Sequence, residues 1–257
     1  FTAARARNAG LAKLSEVPGQ VPFVQFIDGD CTLHPDWIET ARAFLIAHPK
    51  VVAVAGRLRE KCPEASIYNR LCDDEWNTPI GEARACGGIA MMRLDAVLRA
   101  GGFKSDLIAG EEPELCVRLR ESGWKIWRLD AEMALHDAAM TRFGQWWQRT
   151  RRGGYAFAEG VALHGAPPER HCVAPLRRII FWGLLLPTVT VLGAFITPWA
   201  LLLLLAWPAQ VVRLRLRGMD WVGAFFMTLT KLPEAQGALT YWWRRMTRAR
   251  ARLIEYK

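Results

Sequence analysis

The sequence predicts an α/β body followed by C-terminal membrane helices, on three observations. Short apolar runs rich in Val, Ile and Phe (residues 23–27 and 51–56) alternate with segments of helical period. Residues 179–207 hold no Asp, Glu, Lys or Arg and are long enough to cross a bilayer. The charge is also uneven: residues 207–257 carry 10 Lys/Arg against 3 Asp/Glu, which accounts for +7 of the net +9. A basic tail beside an apolar segment points to an anionic membrane surface rather than to nucleic acid, because Arg213, Arg215, Arg217, Arg244 and Arg245 follow apolar or Trp-rich stretches. The six cysteines show no CxxC pair, so they read as small buried residues of a reducing compartment.

Taken in order, residues 1–14 read as a helix and 15–19 as a turn with Pro and Gly. Residues 23–27 form a buried strand that ends in Asp28-Gly29-Asp30, delivering two carboxylates to the sheet edge where open α/β sheets bind ligands. Oxygen ligands of this kind suit a divalent cation, Mg²⁺ or Mn²⁺, which neutralises phosphate oxygens. Residues 35–47 are a helix opened by Pro35, and 51–56 a second strand, so the alternation favours a largely parallel sheet. A short helix is expected at 67–75, a third strand at 86–93 entered through Gly87-Gly88, and a helix at 94–100 stopped by Gly101-Gly102. Gly110-Glu111-Glu112-Pro113-Glu114 opens a helix that Gly123 ends, and 124–129 returns as a strand. Acidic residues suit a helix N-terminus, but three carboxylates in four residues exceed what capping requires; crowding of like charge is how general bases are made. His136 closes an apolar piece as a structural residue or a metal ligand. Residues 143–157, dense in Trp and Arg, read either as an amphipathic helix on a membrane or as a basic, aromatic lid over a phosphate-bearing ligand.

The ordered set Ala4-Arg5-Ala6-Arg7-Asn8-Ala9-Gly10, Asp28-Gly29-Asp30, Gly87-Gly88, Gly101-Gly102-Phe103, Gly110-Glu111-Glu112-Pro113-Glu114-Leu115 and His136 resembles a GT-A-type glycosyltransferase of family 2. The resemblance implies a partial nucleotide-diphospho-sugar transferase sheet with flanking helices over residues 1–170, and a membrane-associated region over 171–257. It implies that Asp28 and Asp30 hold a nucleotide-sugar diphosphate through the divalent cation, with Asp30 and His136 as metal ligands. Arg7, Arg149 and Arg152 are expected on the diphosphate, and Gly87, Gly88 and Trp146 on the acceptor side. Glu112 stands at the family's base position, where the family carries Asp, with Glu111 or Glu114 as substitutes. The reaction implied is inverting transfer to an acceptor hydroxyl; the competing reading is a membrane-tethered sugar-nucleotide scaffold without catalysis. Gln145-Trp146-Trp147-Gln148-Arg149 shares the composition of the polymerising members' motif without its spacing, so processivity is not expected. The family's first strand would precede Phe1, so the domain is expected to be N-terminally incomplete.

At the apolar end, Thr197-Pro198 divides residues 179–207 into two halves flanked by arginines on both sides. That charge pattern favours a hairpin with both ends cytoplasmic over one Pro-kinked span. A catalytic body on that side would meet cytosolic donors and a lipid-linked or membrane-proximal acceptor. Trp221, Phe225, Phe226 and Leu229 give an apolar face, and Trp242 and Trp243 beside Arg244 and Arg245 read as interfacial anchors, lying on the membrane or forming a third span.

Overall fold

The computed structural model describes residues 2–16 and 21–248 and divides the chain into two compact units, Phe1–Thr141 and Arg142–Lys257. Most of the turn expected at 15–19, and the basic end from 249 on, lie outside the described residues.

The first unit is a six-stranded mixed sheet with helices. Helix α1 (Ala3–Ser15) begins at Thr2, whose hydroxyl caps Arg5 N–H. Strand β1 (Phe23–Phe26) leads through the Asp28–Asp30 turn to β2 (Cys31–Leu33), and α2 (Trp37–Ala47) crosses to β3 (Val51–Glu60). Then come α3 (Ile67–Trp76), β4 (Gly81–Ala83), β5 (Ala90–Arg93), α4 (Leu94–Arg99), α5 (Glu111–Glu121) and β6 (Lys125–His136). The strand order is β1-β5-β3-β6-β2, with β4 on β6.

The expectation of a largely parallel sheet is corrected here: β3–β6 is the one parallel pair, and β1–β5, β3–β5, β2–β6 and β4–β6 are antiparallel. Strands β1 and β3 do run the same way across the α2 crossover, but β5 enters between them in the opposite sense. Strand β6 is twice the expected length, and its second half brings His136 opposite Cys31 of β2 and Glu60 of β3. Gly56 lies at a register shift of the β3–β6 ladder, where a Cβ would fall 2.7 Å from Ala131 O, Met133 Cβ and the Trp37 ring. The core joins both sheet faces through Val52, Val54, Trp37, Leu45, Leu115 and Ile126, all fully buried.

The second unit is helical. Its first helix, α6 (Phe143–His164), was expected within the first domain; the boundary falls at Thr141 rather than 170 because α6 packs against α11 (below). It is followed by α7 (Val173–Ile179), a π-helical stretch Ile180–Leu185, and α8 (Leu186–Ala194). Pro187 cannot donate back to Gly183, which accounts for the widened turn. The chain turns at 195–197 and returns through the 3₁₀ stretch Pro198–Leu205 and α9 (Ala206–Leu216). The apolar stretch thus forms two segments, Val173–Ala194 and Pro198–Leu216, each apolar and long enough to cross a membrane. Last are α10 (Trp221–Leu229) and α11 (Lys231–Thr247). Helices α6 and α11 touch backbone to backbone: a Cβ on Gly154 would overlap Glu234, and one on Gly237 would overlap the Arg151 carbonyl.

Candidate functional site

The site is assembled from motifs far apart in sequence, and its hub is Arg7. The α1 helix is docked by its neighbour Asn8, whose amide donates to Phe103 O at 2.7 Å and accepts from Phe103 N at 2.9 Å. Gly102, at φ +67°, has no room for a Cβ there, since it would lie 2.7 Å from Asn8 Oδ1. This interlock explains why an Arg-Asn pair and a Gly-Gly-Phe turn occur in one chain. So fixed, and with its guanidinium 5.5 Å from the Phe103 ring, Arg7 donates to Asp28 Oδ1 at 2.8 Å and to Glu111 Oε1 at 2.7 Å. Its side chain is only 10% exposed, against 42% for Asp28, so the carboxylate of Asp28 faces solvent from a rigid partner. Gly88 completes the cluster: its carbonyl is 3.4 Å from Arg7 Nη2, and a Cβ would sit 2.9 Å from that nitrogen and 3.1 Å from Asp28 Oδ2. Gly87 before it takes φ +81°.

A second group forms two residues along. Asp30 Oδ1 lies 3.2 Å from His136 Nε2, with Asp137 N donating to Asp30 O at 3.1 Å. The His136 ring lies against Trp76 at 4.7 Å between centroids, and its Nδ1 is buried without a hydrogen-bond partner among the described residues. The chain just beyond it is tethered: buried Glu60 accepts from Ala138 N at 2.9 Å, and Asn69 accepts from Met140 N at 3.0 Å. A carboxylate oxygen and an imidazole nitrogen converging at this distance suit a divalent ion, so the donor set fits the expected cation.

The two adjacent glutamates at the start of α5 part ways. Gly110 precedes them in the left-handed region at φ +79°. Glu111 faces Arg7, whereas Glu112 is 4% exposed and points inward. Its Oε1 accepts from Cys86 N at 2.8 Å, Cys86 Sγ at 3.0 Å and Cys116 Sγ at 2.8 Å. Burial raises the Glu112 carboxyl above the ordinary carboxylate range, although the thiols and backbone N–H groups oppose this. Burial likewise pushes the Cys116 thiol up to about 11, and the Cys116 thiol together with burial raises Cys86. Both thiols therefore stay protonated at neutral pH and serve as donors. Glu114, the other substitute considered, is 1% exposed and held by Arg118 at 2.7 Å.

The remaining predicted residues stand on α6 in the second unit. Trp146 is 4% exposed, with its ring edge-on to Phe226 at 4.9 Å. Arg149 and Arg152 share that helix. Sequence reasoning passed over Cys86 and Cys116; the one available signal was that Cys116 follows Glu112 by four residues, one helical turn.

Residues 1–96, which contain Arg7, Asp28, Asp30 and Gly88, match the family model of Glycosyl transferase family 2. No curated protein sequence matches the chain. Among solved structures, the fold is similar to a mannosyltransferase of Pyrobaculum calidifontis solved with GDP-mannose and Mn²⁺ (TM-score 0.56, 16% identity, 94% of this chain and 67% of that one). TarS of S. aureus also matches, at TM-score 0.42 and 11% identity over 95% of this chain and 72% of its own. Residues 1–96 are thus similar to family 2 glycosyltransferases, and the fold of the chain is GT-A-like.

Proposed function

We propose that the protein transfers a sugar, with inversion, from a nucleotide-sugar donor to an acceptor hydroxyl at the cytoplasmic face of a membrane. The observation that carries this reading is the bridging of Asp28 and Glu111 by one partly buried guanidinium, Arg7, beside the Asp30–His136 pair. Arg7 and the backbone at Gly88 would receive the donor diphosphate, whose negative charge adds a further partner to the guanidinium. Asp30 and His136 would hold a divalent cation, Mg²⁺ or Mn²⁺, which supplies charge neutralisation to the departing diphosphate.

In this reading Glu111 takes the proton of the acceptor hydroxyl as oxygen attacks the anomeric carbon from the face opposite the leaving group. Glu111 is favoured over Glu112 as the base because the Glu112 oxygen already receives three donors inside the core. Glu112 instead positions its neighbour, fixing the start of α5 to the Cys86–Gly88 loop.

The membrane reading is supported by two apolar segments, Val173–Ala194 and Pro198–Leu216, and by Phe195 and Ile196 in the turn between them and Trp199 just after it, each more than 70% exposed. That exposure supports a lipid-linked acceptor, and no nucleic-acid role is proposed. The test is transfer of label from nucleotide sugars, GDP-mannose first, into the lipid fraction of membranes containing the full chain. Transfer is expected with the native protein and its loss with Asp30→Asn. Donor binding without transfer or hydrolysis by the native protein would instead support the scaffold reading.

A further inference from the structure

We propose that Cys31 is a third protein ligand of the divalent cation, and that its thiolate makes the site prefer a borderline ion such as Co²⁺ or Zn²⁺ over the harder Mg²⁺ and Mn²⁺. The inference rests on the cation site described above and adds a residue to it. Cys31 follows Asp30 directly and is the cross-strand partner of His136 on the β2–β6 ladder, so the ladder fixes two of the three residues and the turn before β2 supplies the third. Cys31 Sγ is 3.7 Å from Asp30 Oδ1, which is itself 3.2 Å from His136 Nε2, and all three ligand atoms lie within 4.8 Å of one another. Ligand bonds of about 2.0–2.3 Å from oxygen, nitrogen and sulfur let one ion reach all three, and ligands of a four-coordinate ion sit roughly 3.3–3.8 Å apart.

The chemistry of the set decides which ion. Mg²⁺ takes oxygen ligands in octahedral array, whereas imidazole and thiolate suit the later first-row metals. One carboxylate and one thiolate also match the charge of a divalent ion while the imidazole stays neutral. Binding therefore displaces the thiol proton to solvent, with no change of oxidation state. Cys31 is partly exposed, unlike Cys86 and Cys116, so a metal and a thiol reagent can both reach it.

The test uses the full chain in detergent, stripped with a chelator and titrated with Co²⁺ alone. A sulfur-to-cobalt charge-transfer band is expected, absent in Cys31→Ser. The Zn²⁺-over-Mg²⁺ affinity ratio should fall by about 10–100-fold in that variant, since loss of a direct ligand costs at least what loss of an outer partner does. Independently of any substitution, Zn²⁺ should protect Cys31 of the native chain from alkylation, read by peptide mass so that the other cysteines do not confuse the result. Identical cobalt spectra in native and Cys31→Ser protein, or alkylation of Cys31 unaffected by Zn²⁺, would overturn the proposal while leaving an Asp30–His136 site intact. Failure of Co²⁺ to bind the native chain at all would remove the cation site itself.

Discussion

Substituting the two neighbouring glutamates separates chemistry from architecture. Glu111→Gln keeps an oxygen for Arg7 but cannot accept a proton, so turnover should fall by about 10²–10⁴-fold, equivalent to roughly 3–5 kcal/mol on the barrier. Its effect on stability should be about 1 kcal/mol, since one partly buried charged hydrogen bond becomes a neutral one. Glu112→Ala should do the reverse. It leaves the Cys86 N–H without its 2.8 Å acceptor, worth about 1–3 kcal/mol, and empties a fully buried site for about 1–2 kcal/mol more. The expected total is about 2–5 kcal/mol. Glu112→Gln retains the acceptor oxygen and sheds a buried charge, so it should hold native stability and lose less than about tenfold in rate. Single-turnover transfer, donor affinity and thermal unfolding in detergent measure the three quantities. If Glu112→Gln abolishes turnover at unchanged stability while Glu111→Gln remains active, the base is Glu112 and the assignment of roles from their orientations is wrong.

Other consequences can be checked alongside. Because burial raises the folded-state pKa of Glu112, its contribution to stability is fully present below the ordinary carboxylate value and is lost as pH rises through the raised one. Native protein should accordingly gain stability, relative to Glu112→Gln, as pH drops from neutral toward 4; parallel unfolding midpoints across that range would refute this. Gly88→Ala displaces the ends of the Arg7 and Asp28 side chains and no backbone, so donor affinity should fall about tenfold, one good hydrogen bond's worth, with little change in melting temperature. Gly237→Val drives a side chain into the Arg151 carbonyl and should cost about 3 kcal/mol or prevent α6 and α11 from packing, seen as protease sensitivity in detergent. A chelator should abolish transfer, with Mn²⁺ restoring it; undiminished activity after exhaustive chelation would exclude the cation.

Much of the first unit could be read from residues alone. The run 23–27 ending in carboxylates gave strand and edge together, and helices stopped where Gly101, Gly102 and Gly123 adopt positive φ. The hidden features share a cause, that they depend on partners remote in sequence. Nothing in residues 86–93 says that β5 will slip antiparallel between β1 and β3, and three-residue strands such as β2 and β4 are too short to show a period. Residues 130–136 carry Asp130 and Glu132 outward, which masks the second half of β6. Likewise, either glutamate of an adjacent pair at a helix start can turn inward. The choice here was made by Cys86, 26 residues away.

The paired amide bonds between Asn8 and Phe103 have a practical corollary. Helix α1 is what holds Arg7 against Asp28 and Glu111 in the candidate site. Proteolytic nicking near residue 16 would release Arg7 and leave Asp28 and Glu111 facing each other's charge without a mediator. A clipped preparation could keep most of its sheet, melt near the usual temperature, and still bind donor poorly; intact-mass measurement should therefore accompany any claim that the protein is inert.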